Sequence, residues 1–303
     1  MRPPAKGDAA PKPSSSLAPS PPARPFALVL ASALTMQAAL DASGASLHLP
    51  PGAGVAAGAA LGAVYGAAAA LAAATVWAPP PAPLTVVVTG ASRGLGKALA
   101  RELARAGDAV VMVARSAPAL AAAAADVRAS AGPGAGRVIA VTGAVSGDAR
   151  AMGRLVESVF GAAGDGGIDL WVNNAAASAG YAPIDSLTPD AVADVISTNL
   201  AGALLAARLV APRLAAQPRG GHVCFVEGAG ANGGATPGYA AYGATKAALR
   251  QAAKSLAAEA AAARAAGAPA GRVGWHLLSP GMLLTPLLLQ GTVERWGAAG
   301  GGG

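Results

Sequence analysis

The chain has 303 residues and a formal net charge of +7. Hydrophobic residues make up 53% of it but aromatic residues only 4%, so alanine supplies much of the hydropathy and membrane character is easily overstated. The basic residues are dispersed and not interleaved with aromatic ones, which excludes a typical nucleic-acid-binding surface. The single cysteine, Cys224, excludes a disulfide framework and a cysteine-based metal cluster, and we expect no metal site.

Residues 1–25 are rich in proline and serine and carry four basic residues against one acid, Asp8. Such a segment cannot bury a core of its own. Its basic, serine-rich and acid-poor composition is that of an organelle transit peptide, and a plain disordered tail is the alternative. We therefore predict a disordered, transit-like segment here.

Residues 26–83 are hydrophobic and contain a single charged residue, Asp41. The run at 54–78 is long enough to cross a bilayer. Gly58, Gly62 and Gly66 recur at four-residue spacing, which would let membrane helices pack closely. An alanine- and glycine-rich linker is the alternative, because alanine drives membrane insertion only weakly. We predict a membrane-anchor region that ends in a proline linker.

From residue 84 onward, short apolar runs alternate with helical stretches. The runs read LTVVVT, AVVMVA, VIAVT, IDLWVNN, HVCFVE and VGWHLLS. This alternation is typical of a parallel sheet with helices on both faces. The sequence therefore predicts an α/β, doubly wound, Rossmann-like domain over residues 84–291, followed by a glycine-rich tail at 292–303.

The segment 89–97, TGASRGLGK, stands between the first predicted strand and a helix. At such a junction Gly90 permits a tight turn, Gly94 lets the backbone approach a pyrophosphate, and Gly96 allows close helix packing. The start of the helix adds unpaired N–H groups that favour phosphate. We expect this loop to bind a dinucleotide cofactor through Gly90, Ser92, Arg93, Gly94, Leu95 and Gly96.

The second predicted strand ends at Arg115 and Ser116, where an enzyme using NAD would carry an acid for the ribose 2′-hydroxyl. A guanidinium matches the geometry of a phosphate, so Arg115, assisted by Arg93, suits a 2′-phosphate instead. The sequence therefore predicts NADPH as the cofactor.

Tyr242 and Lys246 lie four residues apart, on one face of a helix predicted to continue to about Ala266. An ammonium group close to the phenol, together with an oxidised nicotinamide, stabilises a phenolate, and on this basis we expect Lys246 and the cofactor to lower the pKa of Tyr242. Tyr242 would then act as the general acid of a carbonyl reduction.

The motifs TGASRGLG, WVNNA, ISTNL, YGATK and LSPGMLLT occur in this order over residues 84–286, and here the chain resembles the short-chain dehydrogenase/reductase family. The resemblance implies that Asn199 orders a water that relays protons from Lys246. It also implies that Asn173, Asn174 and Ala175 line the cofactor side of the fourth strand. Pro280, Gly281 and Thr285 would cap the nicotinamide.

Within that family the chain is similar to the chlorophyll b reductases of plants and green algae. Ordinary members have two serines where this chain has Glu227 and Gly228, whereas the chlorophyll b reductases resemble it in carrying an acid followed by Gly-Ala-Gly. The resemblance implies reduction of the 7-formyl group of chlorophyll(ide) b, or of another hydrophobic carbonyl substrate, at the chloroplast thylakoid membrane.

The chain departs from the family pattern at several positions. The serine that holds the carbonyl oxygen has no counterpart at residues 228–231, and Ala144 and Ala176 replace an expected aspartate and glycine. The fold resembled also continues beyond Gln290 through a substrate lid, so we expect a C-terminally incomplete domain. A non-catalytic, membrane-bound pigment- or cofactor-binding protein and a membrane reductase of lipid ketones remain alternatives. Association with a second copy or a related reductase subunit is also open.

Overall fold

The computed structural model describes residues 83–280. The predicted transit-like segment, nearly all of the membrane-anchor region and the glycine-rich tail lie outside the described residues. The predicted nicotinamide cap is described only at Pro280.

All six apolar runs predicted as strands form strands. They are β1 Thr85–Thr89, β2 Ala109–Ala114, β3 Val138–Thr142, β4 Leu170–Asn173, β5 Gly221–Val226 and β6 Val273–Leu278. The strands form one parallel sheet in the order β3-β2-β1-β4-β5-β6. The predicted parallel sheet is therefore confirmed.

Helices connect the strands. They are α1 Gly94–Arg105, α2 Ala117–Ala131, α3 Ala149–Ala163, α4 Pro189–Ile196, α5 Ala203–Ala216 and α6 Ala240–Ala265. A π-helical segment, Ser197–Gly202, joins α4 to α5, and short 3₁₀ turns occur at Ile184–Ser186 and Pro269–Arg272. Helix α6 ends within one residue of the predicted position.

Two apolar clusters cover the two faces of the sheet. One packs α1 and α2 against side chains such as Val86 and Val88. The other packs α3, α5 and α6 against the opposite face, where Val87 and Trp171 lie. Because both faces are buried, the strands consist of near-continuous apolar residues, as parallel sheets require.

The order of the strands reverses between β1 and β4, which are neighbours in the sheet but far apart in sequence. In open parallel sheets the chain then leaves these two strands in opposite directions, and a crevice opens at their carboxyl ends. The sheet therefore places the glycine-rich loop after β1 and the segment after β4 on the two sides of one crevice.

One helical stretch among the described residues, Pro189–Ala216, is long and apolar enough to cross a bilayer. Its α5 part packs on the sheet through Ala206, Val210 and Leu214, all of which are fully buried. The α5 part of this stretch therefore belongs to the core of the α/β domain, and the stretch by itself is not evidence of membrane insertion.

Candidate active site

The glycine-rich loop leaves no room for side chains at two of its positions. Gly90 has a φ of +68°, and a Cβ there would lie 2.8 Å from the Cα of Ala175. A Cβ on Gly96 would overlap the carbonyl oxygen of Gly90. The backbone of the loop is therefore drawn tightly against the segment after β4, with the N-terminus of α1 open toward the crevice.

Asn174 fastens this loop in place. Its Nδ2 donates to the carbonyl oxygen of Thr89 at 2.8 Å, and its backbone N–H donates to Thr89 Oγ1 at 3.0 Å. Thr89 Oγ1 also donates to the carbonyl of Val172 at 3.1 Å. These bonds join the carboxyl ends of β1 and β4, so Asn174 fixes the geometry of the phosphate loop.

The two arginines singled out in the sequence both line the crevice and both are exposed. Arg93 is the residue before the first turn of α1, and Arg115 follows β2. Within residues 83–280 neither guanidinium forms an ion pair. Together with the glycine cradle, they form a cationic end of the crevice that fits a phosphorylated dinucleotide.

A cavity of about 960 Å³ extends from these arginines to Tyr242 and Lys246. This is within the usual size range of ligand-binding pockets. The predicted site residues that line it are Gly90, Ser92, Arg93, Gly94, Leu95, Gly96, Arg115, Asn174, Ala175, Tyr242, Lys246 and Pro280. The cavity also has lining residues that sequence reasoning did not assign, among them Tyr239 and Arg250.

Tyr242 and Lys246 face the crevice from the first turns of α6. Lys246 Nζ lies 5.5 Å from the centre of the Tyr242 ring and donates to the carbonyl oxygen of Val226 at 2.9 Å. Lys246 is 2% exposed. The ammonium group is therefore held at the end of β5, beside the phenol.

The expected lowering of the Tyr242 pKa, which includes the effect of an oxidised nicotinamide, stays a prediction. Burial raises the pKa of Tyr242 to about 12, because the phenolate loses its hydration. Burial also lowers the pKa of Lys246 to about 8, and the carboxylate of Glu227 opposes that change. A phenol that keeps its proton at neutral pH suits a general acid in reduction.

Gly228 lies directly against the hydroxyl group of Tyr242. A Cβ at Gly228 would lie 2.5 Å from Tyr242 Oη and 3.2 Å from two ring carbons. The position therefore cannot accept a serine without moving the phenol. Of the two candidate substitutes for the missing serine, Thr236 donates its hydroxyl to the carbonyl oxygen of Tyr239 at 3.3 Å, and Asn232 Oδ1 accepts from the N–H of Gly234.

Glu227 and Arg250 form an ion pair in the same wall of the crevice. Arg250 Nε donates to Glu227 Oε1 at 2.6 Å and Arg250 Nη2 donates to Oε2 at 2.8 Å. The side chain of Glu227 is 3% exposed and that of Arg250 is 37% exposed. Neither Glu227 nor Arg250 was predicted as a site residue. The spacing of Arg250, one helical turn beyond Lys246 on the same face of α6, is the sequence feature that could have identified it.

Asn199 lies in the π-helical segment and is 1% exposed. Its Oδ1 accepts from the N–H of Ala177 at 2.7 Å, and its Nδ2 donates to the carbonyl of Ala177 at 3.0 Å and to Thr245 Oγ1 at 3.3 Å. The side chain thus holds the loop after β4 against α6. Its role in a proton relay stays a prediction.

Two other predicted positions, Asn173 and Ser116, do not line the cavity. Asn173 does not line the cavity: its side chain is buried on the other face of β4, where Oδ1 accepts from Trp171 Nε1 at 3.1 Å. The physical reason is that successive strand residues face opposite sides, so Asn173 and Asn174 cannot both face the cofactor. Ser116 is absent from the wall because its hydroxyl caps α2, accepting from the N–H of Ala119. Gly281 and Thr285 lie outside the described residues.

Comparison with known proteins places this geometry in a family. The short chain dehydrogenase model matches residues 84–290. The chain therefore belongs to the short chain dehydrogenase family, a family of oxidoreductases that use a nicotinamide cofactor. A metagenomic short-chain oxidoreductase in complex with NADP has a TM-score of 0.56 and 28% identity, covering 70% of this chain and 90% of that one.

Among named relatives, the chain is similar to two rice proteins (Oryza sativa subsp. japonica). It is 38% identical over 130 residues to a probable chloroplastic chlorophyll(ide) b reductase, NYC1, covering 43% of this chain and 24% of the relative. It is 36% identical over 129 residues to the chloroplastic chlorophyll(ide) b reductase NOL, covering 42% of this chain and 36% of the relative. The matched region thus spans about a quarter to a third of the length of these relatives.

Proposed function

We propose that this chain is an NADPH-dependent reductase that converts the 7-formyl group of chlorophyll(ide) b to a hydroxymethyl group. The single observation that carries the proposal is the pair of half-buried Tyr242 and buried Lys246, at the far end of a cavity that begins in a dinucleotide cradle. Named chlorophyll(ide) b reductases are among its relatives, which supports this substrate.

The preference for NADPH over NADH is proposed from Arg93 and Arg115. Both guanidinium groups line the cavity, and neither is neutralised by an ion pair within residues 83–280. A 2′-phosphate would supply the missing negative charge, whereas a 2′-hydroxyl would leave both cations unpaired.

The residues of the site perform the chemistry as follows. The reduced nicotinamide, when bound, supplies two electrons as a hydride to the formyl carbon. Tyr242 donates its phenolic proton to the carbonyl oxygen, which leaves an alcohol. Lys246 places a positive charge beside the phenolate that forms and so stabilises it. The proton that Tyr242 loses is replaced from solvent.

A row of tyrosines supports a large, flat and hydrophobic substrate. The rings of Tyr181 and Tyr239 have centroids 5.4 Å apart, and those of Tyr239 and Tyr242 are 6.5 Å apart. Tyr181 is 36% exposed and Ile184, close by in sequence, is 52% exposed. The row leads from the surface to the proton donor, and aromatic faces of this kind suit a macrocycle.

The proposed setting is the chloroplast, since both rice relatives are named chloroplastic. The segment predicted as a membrane anchor, 26–83, would hold the reductase at the thylakoid surface, where a pigment with a lipid tail is found. Membrane attachment can be measured by separating chloroplast membranes from stroma and locating the full chain in the fractions.

The activity is tested by incubating the full chain with NADPH and chlorophyll b or chlorophyllide b, and resolving the pigments by chromatography. We expect the 7-hydroxymethyl pigment to form in step with loss of nicotinamide absorbance. Tyr242→Phe is the matched control and should form the product at least about 100-fold more slowly. Binding of both pigment and NADPH without any product would instead support a pigment- or cofactor-binding protein that has lost turnover.

A further inference from the structure

The ion pair of Glu227 and Arg250 has features of a functional element. Glu227 follows β5 directly, and its carboxylate is almost fully buried at the wall of the cavity. Burying a carboxylate is costly unless it is paired, and Arg250 satisfies both of its oxygens. The carboxylate is thus paired in a place that is shielded from solvent.

The position of the pair relative to Lys246 gives it an effect on the active site. Tyr242, Lys246 and Arg250 follow one another at four-residue intervals along α6, so they form a ladder on one face of the helix. Lys246 Nζ donates to the carbonyl of Val226, which belongs to the peptide group that leads into Glu227. The ammonium group of Lys246 and the carboxylate of Glu227 therefore both lie at the carboxyl end of β5.

We propose that Glu227, held in place by Arg250, is a positioning residue that keeps Lys246 charged in the buried floor of the cavity. Its effect on rate rests on the proposed reductase function, but its effect on the charge of Lys246 does not. Arg250 has the opposite influence on Lys246, because it brings a second positive charge to the same face of the helix.

The effect of the Glu227 charge on the pKa of Lys246 has the direction expected for a carboxylate beside an ammonium group. Burial lowers the pKa of Lys246 to about 8, and the charge of Glu227 raises it against that effect. Without the carboxylate, burial would act alone and the amine would lose its proton at a lower pH.

Other charged groups are found on the elements that pack around Lys246 and at the phosphate end of the cavity. Helix α4, which packs against α6, carries Asp190 and Asp194 with exposed side chains. The π-helical segment contributes the uncharged Asn199, and Arg93 lies at the phosphate end of the cavity.

Strand β6 presents Trp275 and Leu277 to the cluster that contains Leu249 of α6, and its His276 faces the other side of the sheet. Arg264 and Arg272 lie at the far end of α6. Within residues 83–280, Glu227 is therefore the acid placed to act on Lys246.

The test follows the titration of Lys246 itself, in the full chain labelled with ¹⁵N at lysine Nζ and without cofactor or substrate. Lys246→Met assigns the signal. We expect Glu227→Gln to shift the midpoint to lower pH by about one unit and Arg250→Gln to shift it to higher pH. Glu227→Asp keeps the charge and should restore the wild-type midpoint. Should Glu227→Gln fail to fold, Arg250→Gln still tests the proposal, since its predicted shift has the opposite sign.

The double variant Glu227→Gln/Arg250→Gln also lacks the carboxylate, so its midpoint should lie below that of wild type, because burial then acts on Lys246 without Glu227. Glu157→Gln is the matched control, because it removes one partner of an ion pair with Arg213 on α3 and α5, away from the cavity. The pH profile of pigment reduction should show the same shifts as the NMR titration, with the alkaline limb at lower pH in Glu227→Gln.

A purely structural ion pair would behave differently. It would lower the melting temperature in both single variants and leave the Lys246 midpoint unchanged, or move it in the same direction in both. Either result would overturn the proposal. If the NMR shifts appear as expected but no pigment is reduced, the proposed substrate is wrong while the electrostatic role of Glu227 stands.

Discussion

Replacing Gly228 by alanine should disable the active site without removing any functional group. The added methyl would lie 2.5 Å from Tyr242 Oη and 3.2 Å from two carbons of the ring. Atoms in ordinary contact are about 3.5 Å apart, so the phenol must retreat by about 1 Å. A displacement of about 1 Å can cost about 100-fold in rate, which corresponds to about 2.7 kcal/mol in the barrier.

The assay measures the turnover number for pigment reduction at saturating NADPH, together with cofactor binding by nicotinamide fluorescence. Binding should persist in Gly228→Ala, because the glycine-rich loop and the arginines are untouched. Overpacking should also lower the stability by about 1 to 3 kcal/mol, which thermal unfolding will record.

Gly153→Ala in α3 is the control for adding a methyl group. A Cβ at Gly153 meets nothing within 4 Å, so turnover should be unchanged and the helix slightly more stable. Wild-type turnover by Gly228→Ala would refute the reasoning, since the phenol could then not lie against Gly228 in the active protein.

Three further predictions concern the acid, the cofactor and pH. Tyr242→Phe should lower turnover by at least about 100-fold while NADPH still binds; stopped-flow kinetics measures this, and retained turnover would remove Tyr242 from the acid role. Arg115→Asp should weaken NADPH relative to NADH by about 10- to 100-fold in competitive titrations, and an unchanged ratio would assign the preference to another group. Lys246 has a pKa of about 8, so its cation is present below that pH and lost above it, whereas Tyr242, at about 12, keeps its proton. The reduction rate should therefore fall above about pH 8, and a flat profile from pH 7 to 10 would contradict this assignment.

Local spacing explains why much of the site could be predicted from the sequence. The glycines of the 89–97 loop act on the turn in which they lie, and Tyr242 and Lys246 are one helical turn apart. Such relations depend on the geometry of a single strand-turn-helix unit or a single helix. The six apolar runs likewise predicted the six strands, because a strand that is buried on both faces consists of near-continuous apolar residues.

Relations that cross the sheet or depend on burial did not follow from this local spacing. The family resemblance implied that Asn173 lies on the cofactor side of the fourth strand, but the pleat of β4 turns it to the opposite face. Burial raises the pKa of Tyr242, whereas the sequence shows the nearby lysine and does not show the burial. Desolvation is a property of the packed protein, so spacing does not report it.

The sequence by itself determined the α/β class, the phosphate loop, the Tyr242 and Lys246 pair and the cationic residues at the ends of β1 and β2. Only the tertiary structure decided that Gly228 packs against the phenol, that Asn199 ties the loop after β4 to α6, and that Glu227 pairs with Arg250 beside Lys246. The physical reason is distance along the chain. Glu227 and Arg250 are 23 residues apart, and no local periodicity brings them together. Their contact exists because β5 and α6 pack on one another, and that packing is settled by the burial of the whole sheet.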